Sequence, residues 1–167
     1  IAALGVSTVA SAGCKTSGTQ TQRWNAAKND SKFKNQSSHI HFKNGRIEVK
    51  PSGNVTSVGN ALKLGTEYGL NVRIAGWSSG ATKVYTVKKP INVTMHQHVN
   101  VYVPGNVTFR GDKTLAGDIF GFKSSDSSFN CFSGKINFTW NGGRFDMTNQ
   151  PNSTVVPGPK VTLSNTA

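Results

Sequence analysis

The chain has 167 residues, of which 35% are hydrophobic, which is enough for one domain with a core of many short strands. Only 16% of the residues are charged, and this composition suits strands and turns better than a mostly helical fold. Nineteen Lys and Arg against seven Asp and Glu give a net charge of +12, which either attracts nucleic acid, anionic lipid or acidic polysaccharide or only keeps the surface soluble.

Residues 1–12 are small and apolar and end in Ala10-Ser11-Ala12, a pattern typical of a signal-peptidase site. Because no Met and no basic region precede them, the numbering is predicted to begin inside a signal peptide. This apolar stretch of about ten residues is too short for a transmembrane helix, which needs ~20. The sequence therefore predicts a secreted or cell-surface protein with a signal-peptide remnant and no transmembrane segment.

Cys14 has more than one predicted fate. The segment from Ser11 to Cys14 is similar to a bacterial lipoprotein signal with a lipid anchor on the Cys, although Ser11 stands where that pattern prefers Leu; ordinary secretion is the alternative. Export would permit a disulfide with Cys131, and two unpaired thiols fit the spacing equally well. Asn-x-Ser/Thr sequons indicate glycosylation or simply polar outward strand positions; they begin at Asn29, Asn35, Asn54, Asn92, Asn106, Asn137 and Asn152.

Residues 13–38 are polar, with a lone Trp24, and are predicted to be a tether because they cannot bury enough surface to fold independently. A folded domain is predicted over residues 39–167. It opens with two alternating segments, residues 39–42 and 46–49, around Lys43-Asn44-Gly45. Asn-Gly is a strong signal for a tight hairpin turn, so one strand pair begins the domain.

A single helix is predicted. Apolar residues between Val55 and Tyr68 recur at helical spacing, and Gly69 is placed to end the helix. A short amphipathic helix ahead of a strand-only region would cover the exposed N-terminal end of a solenoid core.

Strands are predicted to follow this helix as far as residue 163. From Ile91 to Val103 the odd positions are apolar, broken only by Gln97, while the even positions face outward. Residues 99–109 and 136–147 share a pattern of strand, glycine turn and second strand, which is typical of stacked coils but also fits a β-sandwich. One shared core is predicted from the apolar positions Val72, Ile74, Ile91, Val93, Val101, Val103, Phe109, Ile136, Phe138, Phe145 and Met147.

Several segments share a distinctive spacing of apolar residues and glycines: residues 60–62, 69–74, 85–87, 90–93, 99–103 and 105–111, and later 136–140 and 142–146. Together they resemble the opening coils of pectin-lyase-like β-helix proteins. The resemblance implies an all-β fold, a right-handed parallel β-helix (solenoid) with one short N-terminal capping helix, of which residues 39–167 would be a truncated N-terminal part. That superfamily includes lyases, hydrolases, epimerases, tailspikes and adhesins, and the fold does not choose among them.

All four histidines occur as His-x-His pairs, His39/His41 and His96/His98. Residues two apart share one face of a strand, so each pair presents two imidazoles to a metal ion or simply to solvent. Because no acid or Cys lies close in sequence to complete either pair, no metal and no cofactor are predicted.

Outward arginines are the candidate substrate-binding residues. Arg73, Arg110 and Arg144 lie on separate predicted strands, where guanidinium groups aligned across coils would bind the carboxylates of an acidic sugar. Asp146, on an outward position of the same strand as Arg144, is the one carboxylate predicted to join them. Solvated arginines with no shared ligand are the alternative, and no catalytic residue is assigned.

The sequence thus predicts an exported protein that binds or acts on an acidic polysaccharide, of lyase or glycoside hydrolase type, with its active site beyond these residues. The alternative is a non-catalytic adhesin, tailspike-like or extracellular structural module. Nucleic acid is not the predicted partner, because the basic residues are not interleaved with stacking aromatic residues on one evident face.

Overall fold

The computed structural model of the protein describes residues 15–124, 138–149 and 161–164. Two β-sheets and three helices contribute side chains to one hydrophobic core. The helices are α1 (Gln20–Ala27), α2 (Ser31–Lys34) and α3 (Val55–Tyr68). The strands are β1 (Ile40–Lys43), β2 (Arg46–Val49), β3 (Val72–Ile74), β4 (Lys83–Val87), β5 (Ile91–Met95), β6 (Val99–Gly111), β7 (Phe120–Ser124), β8 (Phe138–Asp146) and β9 (Val161–Ser164).

The predicted fold class is wrong. The protein is a small α/β fold with a mixed sheet, not an all-β right-handed parallel β-helix with a single capping helix. Two findings overturn that prediction. The six-stranded sheet contains an antiparallel pair, β1 with β2. Two helices, α1 and α2, precede the first strand, and a third, α3, follows β2. Alternation of apolar residues shows which face of a strand is buried, but it specifies neither the partner strand nor its direction.

Residues 20–34, predicted to be part of a polar tether, form α1 and α2 instead. Thr19 caps α1, since its hydroxyl oxygen accepts a hydrogen bond from the Gln22 N–H and the Gln22 side chain accepts one from the Thr19 N–H. The Trp24 side chain of α1 is buried and stacks on Phe42 at a centroid distance of 5.3 Å. This contact fastens α1 to the first hairpin, and Phe33 of α2 packs edge-on against the same indole at 5.0 Å.

The predicted opening hairpin is confirmed. Strands β1 and β2 pair antiparallel, with Lys43 opposite Arg46 and Ile40 opposite Val49. The two turn residues, Asn44 and Gly45, have φ angles of 52° and 73°. A two-residue turn whose twist matches that of the paired strands requires positive φ at both central positions, and Asn-Gly is the pair that adopts it most readily.

The predicted helix over Val55–Tyr68 is confirmed as α3, with Gly69 ending it in the left-handed conformation at φ 66°. Its buried side packs mainly on β5 and β2. Close approach depends on Gly65, where an added Cβ would lie 2.6 Å from Cγ2 of Val72. The helix therefore packs as a layer against the core. Because the fold is not a solenoid, the predicted role of this helix as a solenoid cap is wrong.

The long strand β6 organises the larger sheet, whose order is β1-β2-β3-β6-β4, with β8 pairing on β6 as well. All pairs except β1 with β2 are parallel. Strand β3 pairs with Val101 and Tyr102 of β6, whereas β4 pairs with residues 107–111 of the same strand. The register shifts between Val103 and Thr108, where β6 bends. A smaller parallel sheet has the order β5-β7-β9.

The predicted core is largely confirmed. Seven of the predicted residues are buried: Val72, Ile74, Ile91, Val93, Val101, Val103 and Phe109. Phe138, Phe145 and Met147 are only partly buried and pack against the core from strand β8 and its end, and Ile136 lies outside the described residues. Gln97, which interrupts the apolar alternation, is also buried, and its side-chain N–H donates a 2.8 Å hydrogen bond to the Thr66 carbonyl.

Within the part of the chain that the structure describes, no helix is long and apolar enough to cross a membrane. Residues 1–14 lie outside that part, and with them the predicted signal-peptide remnant and Cys14; Cys131 lies outside it too. The predictions of export, of a lipid anchor and of a disulfide therefore stay predictions.

Candidate functional site

Four polar side chains form one row across the solvent-facing side of the larger sheet. The strand registers place His41 of β1 opposite Glu48 of β2, Glu48 beside Arg73 of β3, and Arg73 beside Tyr102 of β6. Their neighbours in sequence point into the core, so these four point outward. Adjacent strands lie about 4.8 Å apart, so the row, called the outer row below, spans about 14 Å.

Glu48 holds the outer row together. Its Oε1 lies 2.7 Å from Nε2 of His41, and its Oε2 accepts a 2.7 Å hydrogen bond from Nη1 of Arg73. The side chains on either side leave the residue only 6% exposed. Burial raises the pKa of the Glu48 carboxyl, but the hydrogen bonds from His41 and Arg73 and the arginine charge outweigh it and hold that pKa below its usual value. The carboxylate is therefore ionised at neutral pH and fixes both partners in place.

Arg46 joins the outer row from the start of β2. Its guanidinium carbon lies 4.5 Å from the centroid of the Tyr102 ring, in a cation–π contact. Tyr102 thus has one guanidinium over its ring, and Arg73 is its register neighbour on β3. The Arg73 side chain is 41% exposed. Two guanidinium groups and a phenol at one end of the row can present hydrogen-bond donors to a carboxylate or sulfate.

A second cationic group lies farther along β6. Nε of Arg110 donates a 2.8 Å hydrogen bond to Oδ2 of Asp146, which stands opposite it on β8. Hydrogen bonds from the Thr148 hydroxyl and backbone N–H, followed by the one from Arg110, lower the pKa of Asp146 to about 2. Arg144 is exposed and faces Thr108. The Asp146 carboxylate is thus ionised and paired with the charge of Arg110. Arg144 is the more accessible cation of this group.

The structure brings three of the four predicted site residues together and separates the fourth. Arg110, Arg144 and Asp146 share the second group, whereas Arg73 belongs to the outer row. Arg73 pairs with Tyr102 of β6, whereas Arg144 and Asp146 pair with Thr108 and Arg110 near the other end of β6, so the two groups occupy different register positions. The predicted alignment of Arg73 with Arg110 and Arg144 in one line across neighbouring strands is therefore wrong, although all four residues lie on the same sheet.

Sequence reasoning missed His41, Glu48, Arg46 and Tyr102 as members of the site. One signal was available, because a two-residue Asn-Gly turn sets the hairpin register and so places His41 opposite Glu48. The remaining pairings join parallel strands that are separated by α3 or by loops. No turn rule sets the register of such strands, so their neighbours could not be read from the sequence.

The two His-x-His pairs lie on different parts of the fold. His39 and His41 lie at the first hairpin, whereas His96 and His98 lie between β5 and β6. Among residues 15–124, 138–149 and 161–164, no three His, Cys, Asp or Glu side chains are placed to hold a metal ion. His39 instead has its Nδ1 3.3 Å from the Ser52 hydroxyl. His39 and His41 thus each have a polar partner other than a metal ion, Ser52 and Glu48.

The smaller sheet carries a shallow groove of about 470 Å³ on its outer side. Asn92 and Thr94 of β5 and Lys123 of β7 line it, with Asp118 at one end. Gly121 opens the groove because it places no side chain over Asn92. One cation and one carboxylate give this groove no preference for anions, so the larger sheet is the better candidate for an acidic ligand.

The outer row and the second group provide cations for ligand binding, but they offer no pair of carboxylates in mutual reach. Glu48 and Asp146 stand in different groups, and each is held by an arginine. Glycoside hydrolysis by two carboxyl groups needs them roughly 5 to 9.5 Å apart. Comparison of the chain with protein-family models, curated proteins and solved structures found no match.

Proposed function

We propose that this protein binds an acidic polysaccharide along the outer side of its six-stranded sheet. The observation that carries the proposal is the outer row, in which Glu48 and its partners fix Arg73 beside Tyr102 while Arg46 lies over the Tyr102 ring. Pre-organised guanidinium groups suit the planar carboxylates of uronate sugars, because each carboxylate can accept two parallel hydrogen bonds.

Charge on the rest of this side supports the same ligand. Among the described outward positions, the cations Lys43, Arg46, Arg73, Arg110 and Arg144 outnumber the two carboxylates of Glu48 and Asp146. A polymer with regularly spaced negative charges would follow β6 from the outer row to the second group. Secretion or display on the cell surface, which the N-terminal residues predict, would bring the protein to such polymers, and it forms part of the proposal.

Binding to galacturonate oligosaccharides, measured by titration calorimetry, tests this function. We expect the affinity of the folded protein for a hexagalacturonate to fall about tenfold or more as ionic strength rises fourfold, because surface cations supply the attraction. The fully methyl-esterified hexasaccharide serves as the matched control, and it should bind more weakly with little dependence on salt. Equal affinity for the acid and the ester, or tighter binding of an oligonucleotide of equal charge, would contradict the proposal.

A further inference from the structure

A loop between β3 and β4 interrupts the outer side of the sheet. Because β3 and β4 pair with successive parts of β6, residues 75–82 connect them beside the stretch of β6 where the register with β8 shifts and the strand bends. Asn106, at that bend, donates hydrogen bonds of 3.0 Å to the carbonyl oxygens of both Trp77 and Ala81. Gly76 packs directly on the Asn106 side chain, which leaves no space for a Cβ. The loop is therefore held at both ends by one side chain.

Trp77 protrudes from this loop. It is 42% exposed and is the one large hydrophobic side chain that is exposed among the described residues. Nζ of Lys83 lies 5.6 Å from the centroid of the Trp77 ring and 4.8 Å from that of Tyr85. The same ammonium donates a 2.9 Å hydrogen bond to the Gly53 carbonyl. The indole thus has a fixed cation beside it and a large open surface.

Single exposed apolar side chains are ordinary on protein surfaces, so the exposure of Trp77 gains meaning only from where the loop places it. A sugar ring is suited to cover it, because its axial C–H groups present a flat apolar face while its hydroxyls stay in water. Asn106 lies between Tyr102 and Arg110 along β6, so Trp77 stands beside the path that joins the two cationic groups. The Lys83 ammonium lies beside the indole, on the side of β4 that also carries the buried Tyr85.

We infer that Trp77 is the stacking platform for one sugar ring of the acidic polysaccharide. This inference rests on the proposed function and names the part of the ligand that the arginines leave unrecognised. The arginines select for negative charge, and Trp77 selects for a pyranose ring. A polyanion that has neither pyranose rings nor stacking bases gains nothing from the indole.

Three proteins test the inference: the wild type, Trp77→Ala and Trp77→Phe, each titrated with hexagalacturonate and with its methyl ester. We expect Trp77→Ala to weaken both ligands by a similar factor of about five to ten, with an unchanged salt dependence, because stacking involves C–H groups and not charge. Trp77→Phe keeps an aromatic surface and should lose less than half of that factor. The wild type should also show a ligand-induced change in tryptophan fluorescence that Trp77→Phe lacks.

The outcomes separate the platform from the proposed function. Unchanged affinity in Trp77→Ala, together with salt-dependent binding of the acid form by the wild type, overturns the platform and leaves the proposed function standing. A wild type that binds acid and ester equally, with both lost in Trp77→Ala, supports the platform and overturns the preference for acidic glycans. Binding of neither ligand by the wild type overturns both.

Discussion

Truncation of Phe109 to Ala is expected to lower the free energy of unfolding by about 3 to 5 kcal/mol. Phe109 is fully buried and lies between the sheets: its ring stacks on Tyr85 of β4 at 5.3 Å and meets Phe120 of β7 edge-on at 5.0 Å. Phe145 and Trp140 of β8 approach it to 5.8 Å. Removing one ring leaves a cavity with rigid walls on several sides, so the site cannot collapse.

The matched control is Phe138→Ala. Phe138 is also an aromatic residue of the inward alternation, but it is only partly buried, although its ring lies 4.3 Å from that of Phe122. A partly exposed ring leaves no closed cavity, so the expected loss is about 1 to 2 kcal/mol. Urea unfolding measures both free energies of unfolding, and they can be compared directly if the dependence on urea concentration has the same slope in both variants. A loss at Phe138 equal to that at Phe109 would show that the two sheets do not share the core described.

Glu48→Gln is expected to destabilise the protein by about 1 to 3 kcal/mol at neutral pH, because it leaves His41 and Arg73 without their shared carboxylate. The pKa of Glu48 in the folded protein lies below its ordinary value of 4.5. Folding is then favoured by the ionised form, so this stabilisation is present above about 4.5 and is lost as pH falls through the lowered pKa. The wild type and the variant should converge in acid.

Asp146→Asn provides the control for this pH dependence. The pKa of Asp146 is about 2, so any stability difference between this variant and the wild type that comes from the carboxylate charge should be lost only as the pH falls towards about 2. Thermal unfolding midpoints measured from neutral to strongly acidic pH would show the pH range over which each variant differs from the wild type. A Glu48→Gln variant that differs from the wild type equally at every pH would show that the carboxylate is not the stabilising group.

Local features of this fold follow from the sequence, and its topology does not. Asn44-Gly45 predicts the hairpin turn because few residues adopt positive φ, and Gly69 predicts the end of α3 for the same reason. The alternation over residues 91–103 predicts the buried positions of β5 and of the start of β6, whereas Gln97, which interrupts the alternation, lies between the two strands and is buried as well. In contrast, α1 was hidden by its polar composition, although Thr19 and Gln22 form a capping box at its start.

Only the outward arginines of the candidate site could be predicted from the sequence. Arg73, Arg110 and Arg144 were recognised from alternation alone, but their partners belong to strands distant in sequence. Glu48 is the clearest example, because a carboxylate at an outward position of a short strand looks solvated until its neighbours are known. Once Arg73 and His41 flank it, it becomes the buried centre of the outer row.

The central claim is that cations on the outer side of the larger sheet bind the acidic polysaccharide, and that net charge alone does not. The most direct test compares two double variants that each remove two positive charges: Arg46→Gln/Arg73→Gln in the outer row, and Lys28→Gln/Lys34→Gln at exposed positions at the ends of α1 and α2. Circular dichroism first establishes that both variants fold, and calorimetry at one fixed salt concentration gives their affinities for hexagalacturonate. We expect the outer-row variant to lose about tenfold or more in affinity, because it loses charge-assisted hydrogen bonds, and the lysine variant to stay within about threefold of the wild type. Equal losses in the two variants would show that the attraction is non-specific and would contradict the claim.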